Sequence, residues 1–132
     1  MSLELIPLCT LTVTLAPTVT VSPSLVIGEV TAARAEGERL NASLKGAAAD
    51  WLQVSPEGYG TLDVKLTLET DDGALIHATY SGRLQFDTMS AYAAPLFHTG
   101  DERYAWLNRI QAVSKGAFQS DGTLIYEIFE LR

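Results

Sequence analysis

The sequence predicts an all-β fold of about eight short strands with at most one short helix: a sandwich or a closed barrel, of which a closed or nearly closed antiparallel β-barrel, calycin-like, fits the residues better. Three observations lead there. Apolar residues recur at every second position through most of the chain, the period that sends alternate side chains to opposite faces of a strand. The runs are short and are separated by turn residues, twice by Asp-Gly, at Asp72-Gly73 and Asp121-Gly122. Several runs are apolar on one face and carry Thr, Tyr, His or Asn on the other, which suits a small barrel with a mixed polar and aromatic interior.

The elements follow in chain order. Cys9, Leu11, Val13 and Leu15 alternate with Thr10, Thr12 and Thr14, a β-branched pattern that reads as a strand. Pro17 and Pro23 bound a short run from Thr18 to Val21. Leu25 to Ala35 reads as a strand bent at Gly28, and Leu40, Ala42 and Leu44 alternate across Arg39 to Lys45. Leu62, Val64, Leu66 and Leu68 alternate with Asp63, Lys65, Thr67 and Glu69. After the Asp72-Gly73 turn, Ile76, Ala78 and Tyr80 alternate with Leu75, His77 and Thr79, completing a hairpin. Asp87 is placed to cap a helix over Thr88 to Ala94, ended by Pro95. Tyr104, Trp106 and Asn108 share one face of a further strand, with Ala105, Leu107 and Arg109 on the other. Leu124, Tyr126 and Ile128 alternate with Ile125, Glu127 and Phe129 in the last.

Composition narrows the function. The 132 residues make one domain, 1–132, long enough to bury a core without staples. Nine Lys plus Arg against 16 Asp plus Glu give a net charge of −7, which disfavours a nucleic-acid partner, since phosphate binding needs clustered cations. The single cysteine, Cys9, cannot form an internal disulfide, lies in an apolar run and reads as a buried inert thiol. A reducing, cytoplasmic location is expected. No apolar run reaches about 20 residues, and no basic residue precedes Arg34, so neither a membrane span nor a signal peptide is expected.

No strong catalytic motif is present. GxGxxG, GxxxxGK, GxSxG, HExxH and the EF-hand loop are all missing. With two histidines, His77 and His98, and one cysteine, no metal site and no cofactor are expected. The chemistry-bearing residues are carboxylates next to aromatics. Asp50 stands beside Trp51; Tyr104, Trp106 and Asn108 recur at every second position; Asp63, His77 and Tyr126 fall within strand runs. Aromatic walls with a few placed polar groups are what a small-molecule pocket requires. Asp50 and Asp63 are the candidate proton carriers, because a carboxylate stripped of water has its pKa raised toward acid–base use. Tyr104 and Asn108 are candidate donors to a carbonyl or enolate. Trp51, Trp106, His77 and Tyr126 are candidate substrate contacts.

Several strings together resemble one family. Pro7-Leu8-Cys9-Thr10-Leu11-Thr12-Val13, Glu36-Gly37-Glu38-Arg39-Leu40, Ala49-Asp50-Trp51, Leu62-Asp63, Thr70 to Ile76, Tyr104 to Asn108 and Ile125 to Glu130 are similar to segments of the DUF3237 (UPF0311) family, in order over nearly the whole chain. The family's typical motif residues map onto Gly37, Asp50, Trp51, Asp63, Asp72, Gly73, Tyr104, Trp106 and Asn108. The chain departs from the pattern at His98, where Glu is common, and at Ala47-Ala48-Ala49, where a Gly is common. The resemblance implies an antiparallel β-barrel and a self-associating homo-oligomer, and it implies no activity. Three readings stay open: a cofactor-independent isomerase, cyclase or lyase acting on a small apolar or aromatic oxygenated metabolite, a non-catalytic carrier barrel for such a ligand, and a packed structural module.

Overall fold

Strand alternation organises nearly all of the computed structural model, which describes Met1–Arg132. Its strands are β1 (Leu5–Leu15), β2 (Val19–Ser22), β3 (Leu25–Glu36), β4 (Ala42–Leu44), β5 (Ala49–Val54), β6 (Tyr59–Thr70), β7 (Leu75–Gln85), β8 (Ser90–Ala93), β9 (Leu96–His98), β10 (Ala112–Phe118) and β11 (Leu124–Leu131), with one 3-10 helix, Glu102–Arg109, before β10. Eight of them close a ring in chain order: β1, β3, β5, β6, β7, β8, β10 and β11, with β11 pairing back on β1. Every pairing is antiparallel, so the fold is an up-and-down barrel, which leaves the ring without a free edge. The three short strands are additions. β2 forms a hairpin on β3, β4 sits between β3 and β6 beyond the end of β5, and β9 pairs with β7 beyond the end of β8.

The period-two residues face the interior as the sequence indicates. Leu62, Val64, Leu66 and Leu68 of β6 lie opposite Gly82, Tyr80, Ala78 and Ile76 of β7, and all four leucine and valine side chains are buried. The β6–β7 hairpin turns at Asp72-Gly73, where Gly73 takes φ +93°, open to glycine without steric cost. One end of the barrel is filled. Leu8, Leu40, Leu66, Ile76 and Leu107 are each almost wholly buried there. Cys9 is buried too, and burial pushes its thiol up to about 12, so it stays protonated and inert at neutral pH.

Three local expectations are corrected. The stretch from Thr88 to Ala94 is no helix. Asp87 accepts the Thr88 N–H in a turn over Phe86–Met89, Met89 closes that turn at φ +51°, and β8 follows, hydrogen-bonded to both β7 and β10. Pairing on two sides with Ala91 and Ala93 buried outweighs a single capping residue. Tyr104 to Arg109 is no strand. Asp101 caps the 3-10 helix by accepting the Arg103 N–H at 2.9 Å, and only Leu107 in that helix is buried. β3 bends at Thr31 and not at Gly28. Thr14 opposes Ala32 and Leu15 opposes Val30, which leaves Thr31 as a bulge.

Candidate functional site

The opposite end of the barrel is hollow. A cavity of about 270 Å³ lies among β1, β3, β5, β6, β7, β8, β10 and β11, and 15 of its 18 lining residues are hydrophobic. Eight strands leave an interior just wide enough to be filled by side chains or to hold one small ligand. Val13, Val26, Gly28, Val30, Val64 and Ala91 stand at this end among five leucines, Leu15, Leu52, Leu62, Leu84 and Leu124, and the space is left between them. A dry cavity of roughly 150 Å³ accommodates benzene, so this one suits a molecule of about two fused rings. Thr18, Phe86, Met89 and Phe118, from the segments between strands and at strand ends, surround its mouth.

Asp50 is the one charged residue in that lining. Its place follows from register. Asp50 pairs with Val64 of β6 and with Gly28 of β3, and Val64 faces inward. Its neighbours Trp51 and Gln53 therefore face out. Asp50 Oδ1 accepts the backbone N–H of Asp63 at 2.9 Å. This happens where the β5–β6 ladder lapses, between the Asp50/Val64 and Gln53/Thr61 pairs, so the carboxylate takes a ladder donor. Burial raises the Asp50 pKa to about 6, partly offset by that N–H and helped upward by the Asp63 charge. Two phenols share the cavity. Tyr80 and Tyr126 meet edge to face, with ring centroids 5.4 Å apart and planes at 69°. Burial first holds both above the ordinary tyrosine range; Tyr126 adds to the rise at Tyr80, a hydrogen bond with Tyr80 offsets part of the rise at Tyr126, and the Asp50 charge raises both. They remain neutral hydroxyls, able to donate, beside a carboxyl poised near neutrality.

Of the residues singled out in the sequence, only Asp50 and Tyr126 line this cavity. Asp63 contributes its backbone, while its side chain is 59% exposed and 3.5 Å from Lys65 Nζ. Trp51 lies on the outer wall with Lys65 Nζ 5.7 Å from its ring centroid. His77 is also outside: its Nδ1 is 3.0 Å from Thr67 Oγ1, and it stands opposite His98. Tyr104, Trp106 and Asn108 belong to the 3-10 helix and its surroundings. The Tyr104 hydroxyl donates to the Asp72 carboxylate at 3.0 and 3.1 Å. Trp106 stacks under Arg39 at 5.1 Å. Asn108 clamps Thr99, accepting its N–H at 2.8 Å and donating to its carbonyl at 2.9 Å. No indole walls the cavity, because the alternation that puts Asp50 inside puts Trp51 outside, and because the helix removes Trp106 from the sheet. Tyr80 is the residue the sequence reading left out of the site. Its phase with Ile76 and Ala78 was the available signal.

A wider groove of about 680 Å³ runs outside the barrel past Pro7, Glu36 to Arg39 and Arg132. Its cations are committed: Arg39 donates to Glu130 at 2.7 Å and to the Pro7 carbonyl at 2.9 Å, and Arg132 donates to Glu130 at 3.0 Å. The cavity inside the barrel, with its buried acid, is the better candidate site. No three His, Cys, Asp or Glu side chains gather to hold a metal ion, and no helix is long and apolar enough to cross a membrane.

An up-and-down β-barrel with one acid-bearing apolar cavity is the class of protein these features define. The chain belongs to the DUF3237 family, a family of proteins of unknown function, whose model matches residues 3–131. It is similar to a β-barrel-like protein from Acinetobacter baumannii AYE, with 27% identity over 100% of this chain and 98% of that one and a TM-score of 0.88. A conserved protein of unknown function from Rhodopseudomonas palustris shares the fold at 19% identity, 100% and 99% coverage and a TM-score of 0.89. An enzyme from Penicillium herquei shares it at 22% identity, 99% and 94% coverage and a TM-score of 0.72. Among curated proteins, none matches the chain significantly.

Proposed function

We propose that the barrel is a cofactor-independent enzyme that moves a proton on a small, uncharged, apolar carbonyl or phenolic metabolite held in the cavity. One observation carries the reading: the Asp50 carboxyl is the one charged group in a pocket lined by 15 hydrophobic residues, beside the phenols of Tyr80 and Tyr126, and burial there pushes its pKa up to about 6. A base working near neutral pH needs its pKa there. Asp50 takes a proton from the carbon beside the ligand carbonyl. The electron pair moves onto the carbonyl oxygen, and the Tyr80 or Tyr126 hydroxyl donates to that oxygen as negative charge develops. Return of the proton to another carbon is isomerisation, and expulsion of a leaving group from the β-carbon is elimination; where the carbonyl is conjugated to a C=C bond, Asp50 instead takes the proton of a ligand hydroxyl, whose oxygen bonds to the β-carbon as the π electrons move to the carbonyl oxygen, and return of the proton to the α-carbon completes a cyclisation. That the Penicillium herquei relative is an enzyme fits this reading.

The test uses 2-tetralone, a neutral two-ring ketone with acidic α-protons. In D2O the protein accelerates α-proton exchange followed by NMR, and Asp50→Asn lowers the acceleration by about 10²–10⁴-fold. The hydrophobic lining equally suits a carrier. Exchange no faster than in buffer with the wild-type protein, alongside saturable 2-tetralone binding, replaces the enzyme by that carrier.

A further inference from the structure

Nine of the ten glycines have a visible reason to be glycine or lie in an open loop. Gly46, Gly58, Gly73 and Gly122 have positive φ. At Gly37, Gly60, Gly82 and Gly116 a Cβ would collide with a neighbour, such as the Leu8 carbonyl or the Tyr126 ring. Gly100 stands in the loop before the 3-10 helix with nothing near it. Gly28 alone is unexplained by the backbone. It sits inside β3 in an unbroken ladder with β5, its φ is not positive, and a Cβ there would meet only Leu15 Cδ2 at 3.8 Å, an ordinary contact. Glycine weakens a strand by its entropy and by the packing it omits, and inside a strand it commonly marks the close approach of another group. The bulge in β3 lies at Thr31, and the β3–β5 ladder runs unbroken through Gly28.

What Gly28 faces is the cavity, and its partner across the β3–β5 ladder is Asp50. Directly opposite residues on one face have Cβ positions about 5 Å apart. The missing side chain therefore leaves space next to the Asp50 carboxyl.

We infer that Gly28 is a specificity-determining residue: the space it vacates beside Asp50 is where the ligand's second ring lies, so position 28 sets the size of molecule that reaches the carboxylate. The inference rests on the reading of the cavity as a ligand site. A side chain at 28 narrows the pocket without disturbing the barrel. One-ring ligands still reach Asp50; two-ring ligands do not.

The experiment titrates 2-naphthol and phenol, followed by their fluorescence, into wild-type protein, Gly28→Ala and Gly28→Val, with thermal unfolding of each. Expected results are a Kd for 2-naphthol raised severalfold in Gly28→Ala and at least tenfold in Gly28→Val, with phenol changed less than about threefold in both. The Tm of Gly28→Ala is expected to hold or to rise by about 2–5 °C, because alanine suits a strand better. Folded variants that bind 2-naphthol as the wild type does overturn the inference and leave the cavity reading standing. A Tm of Gly28→Ala lowered by more than about 5 °C also overturns it, by showing that the backbone needs the glycine; Gly28→Ala decides alone should Gly28→Val not fold. Wild-type protein that binds neither phenol nor 2-naphthol removes the cavity reading itself, and the inference with it.

Discussion

At the scale of the residue, Asp50 carries an energetic cost that pH reveals. Its pKa is about 6 in the fold against 3.8 for an ordinary aspartate. A carboxyl whose folded pKa is raised binds its proton more tightly in the native state. Its contribution to stability is complete below about pH 4 and is lost as pH rises through about 6. That rise corresponds to about 2–3 kcal/mol. Asp50→Asn, uncharged at every pH and still able to accept the Asp63 N–H, is predicted to stabilise the protein by about 1–2 kcal/mol at pH 8 and to match the wild type near pH 4. Thermal melts across that range check it; equal Tm differences at pH 4 and pH 8 refute it. Subtracting the two proteins matters, because Asp101, held down to about 2 by Arg103, works in the opposite sense, losing stability as pH falls. Asp50 was legible in the sequence as a carboxylate next to an aromatic. The role of its neighbour was not: Trp51 must face out when Asp50 faces in, and adjacency in a strand separates two side chains instead of uniting them.

At the scale of the element, the 3-10 helix separates structural from chemical roles. Asn108 and Tyr104 act there by fastening the helix to Thr99 and to Asp72. Asn108→Ala leaves the Thr99 N–H and carbonyl without their partner and is expected to cost about 1–3 kcal/mol, with 2-naphthol affinity unchanged. Leu107→Ala, opening a void at the filled end, is expected to cost about 2–5 kcal/mol, again with the affinity intact. Denaturant melts paired with the naphthol titration decide both; a selective loss of binding in Asn108→Ala would restore it to the site. Regular strands such as β6 and β7 were legible from alternation, because burial on one face imposes period two. The Tyr104–Asn108 stretch shows the same alternation and is helical. There the local cap at Asp101 and the clamp on Thr99 determine the conformation, and neither has a periodic signature. β5, β9 and β10 went unread, and β8 was read as part of a helix, for a related reason. Three are short or sit beside Pro95, and β10 alternates with Gly116 and small residues whose apolar face is faint.

At the scale of the whole molecule, one closed ring supports two different interiors. Leu8, Leu40, Leu66, Ile76 and Leu107 fill the end under the 3-10 helix, and the other end, with five leucines of its own, stays hollow around Asp50, Tyr80 and Tyr126. The barrel was legible in the short alternating runs, and the ring order follows the chain. The hollow was not legible, because it is a sum of side-chain volumes contributed by eight strands. The same sum places a tyrosine from the middle hairpin against one from the last strand. The account stands on an acid in an apolar cavity, and a 13C NMR titration of the Asp50 carboxyl carbon, with and without 2-naphthol, tests that most directly. The predicted result is a midpoint near 6 that moves higher when the ligand displaces water from the cavity. A midpoint near 3.8 that 2-naphthol leaves unchanged would contradict it.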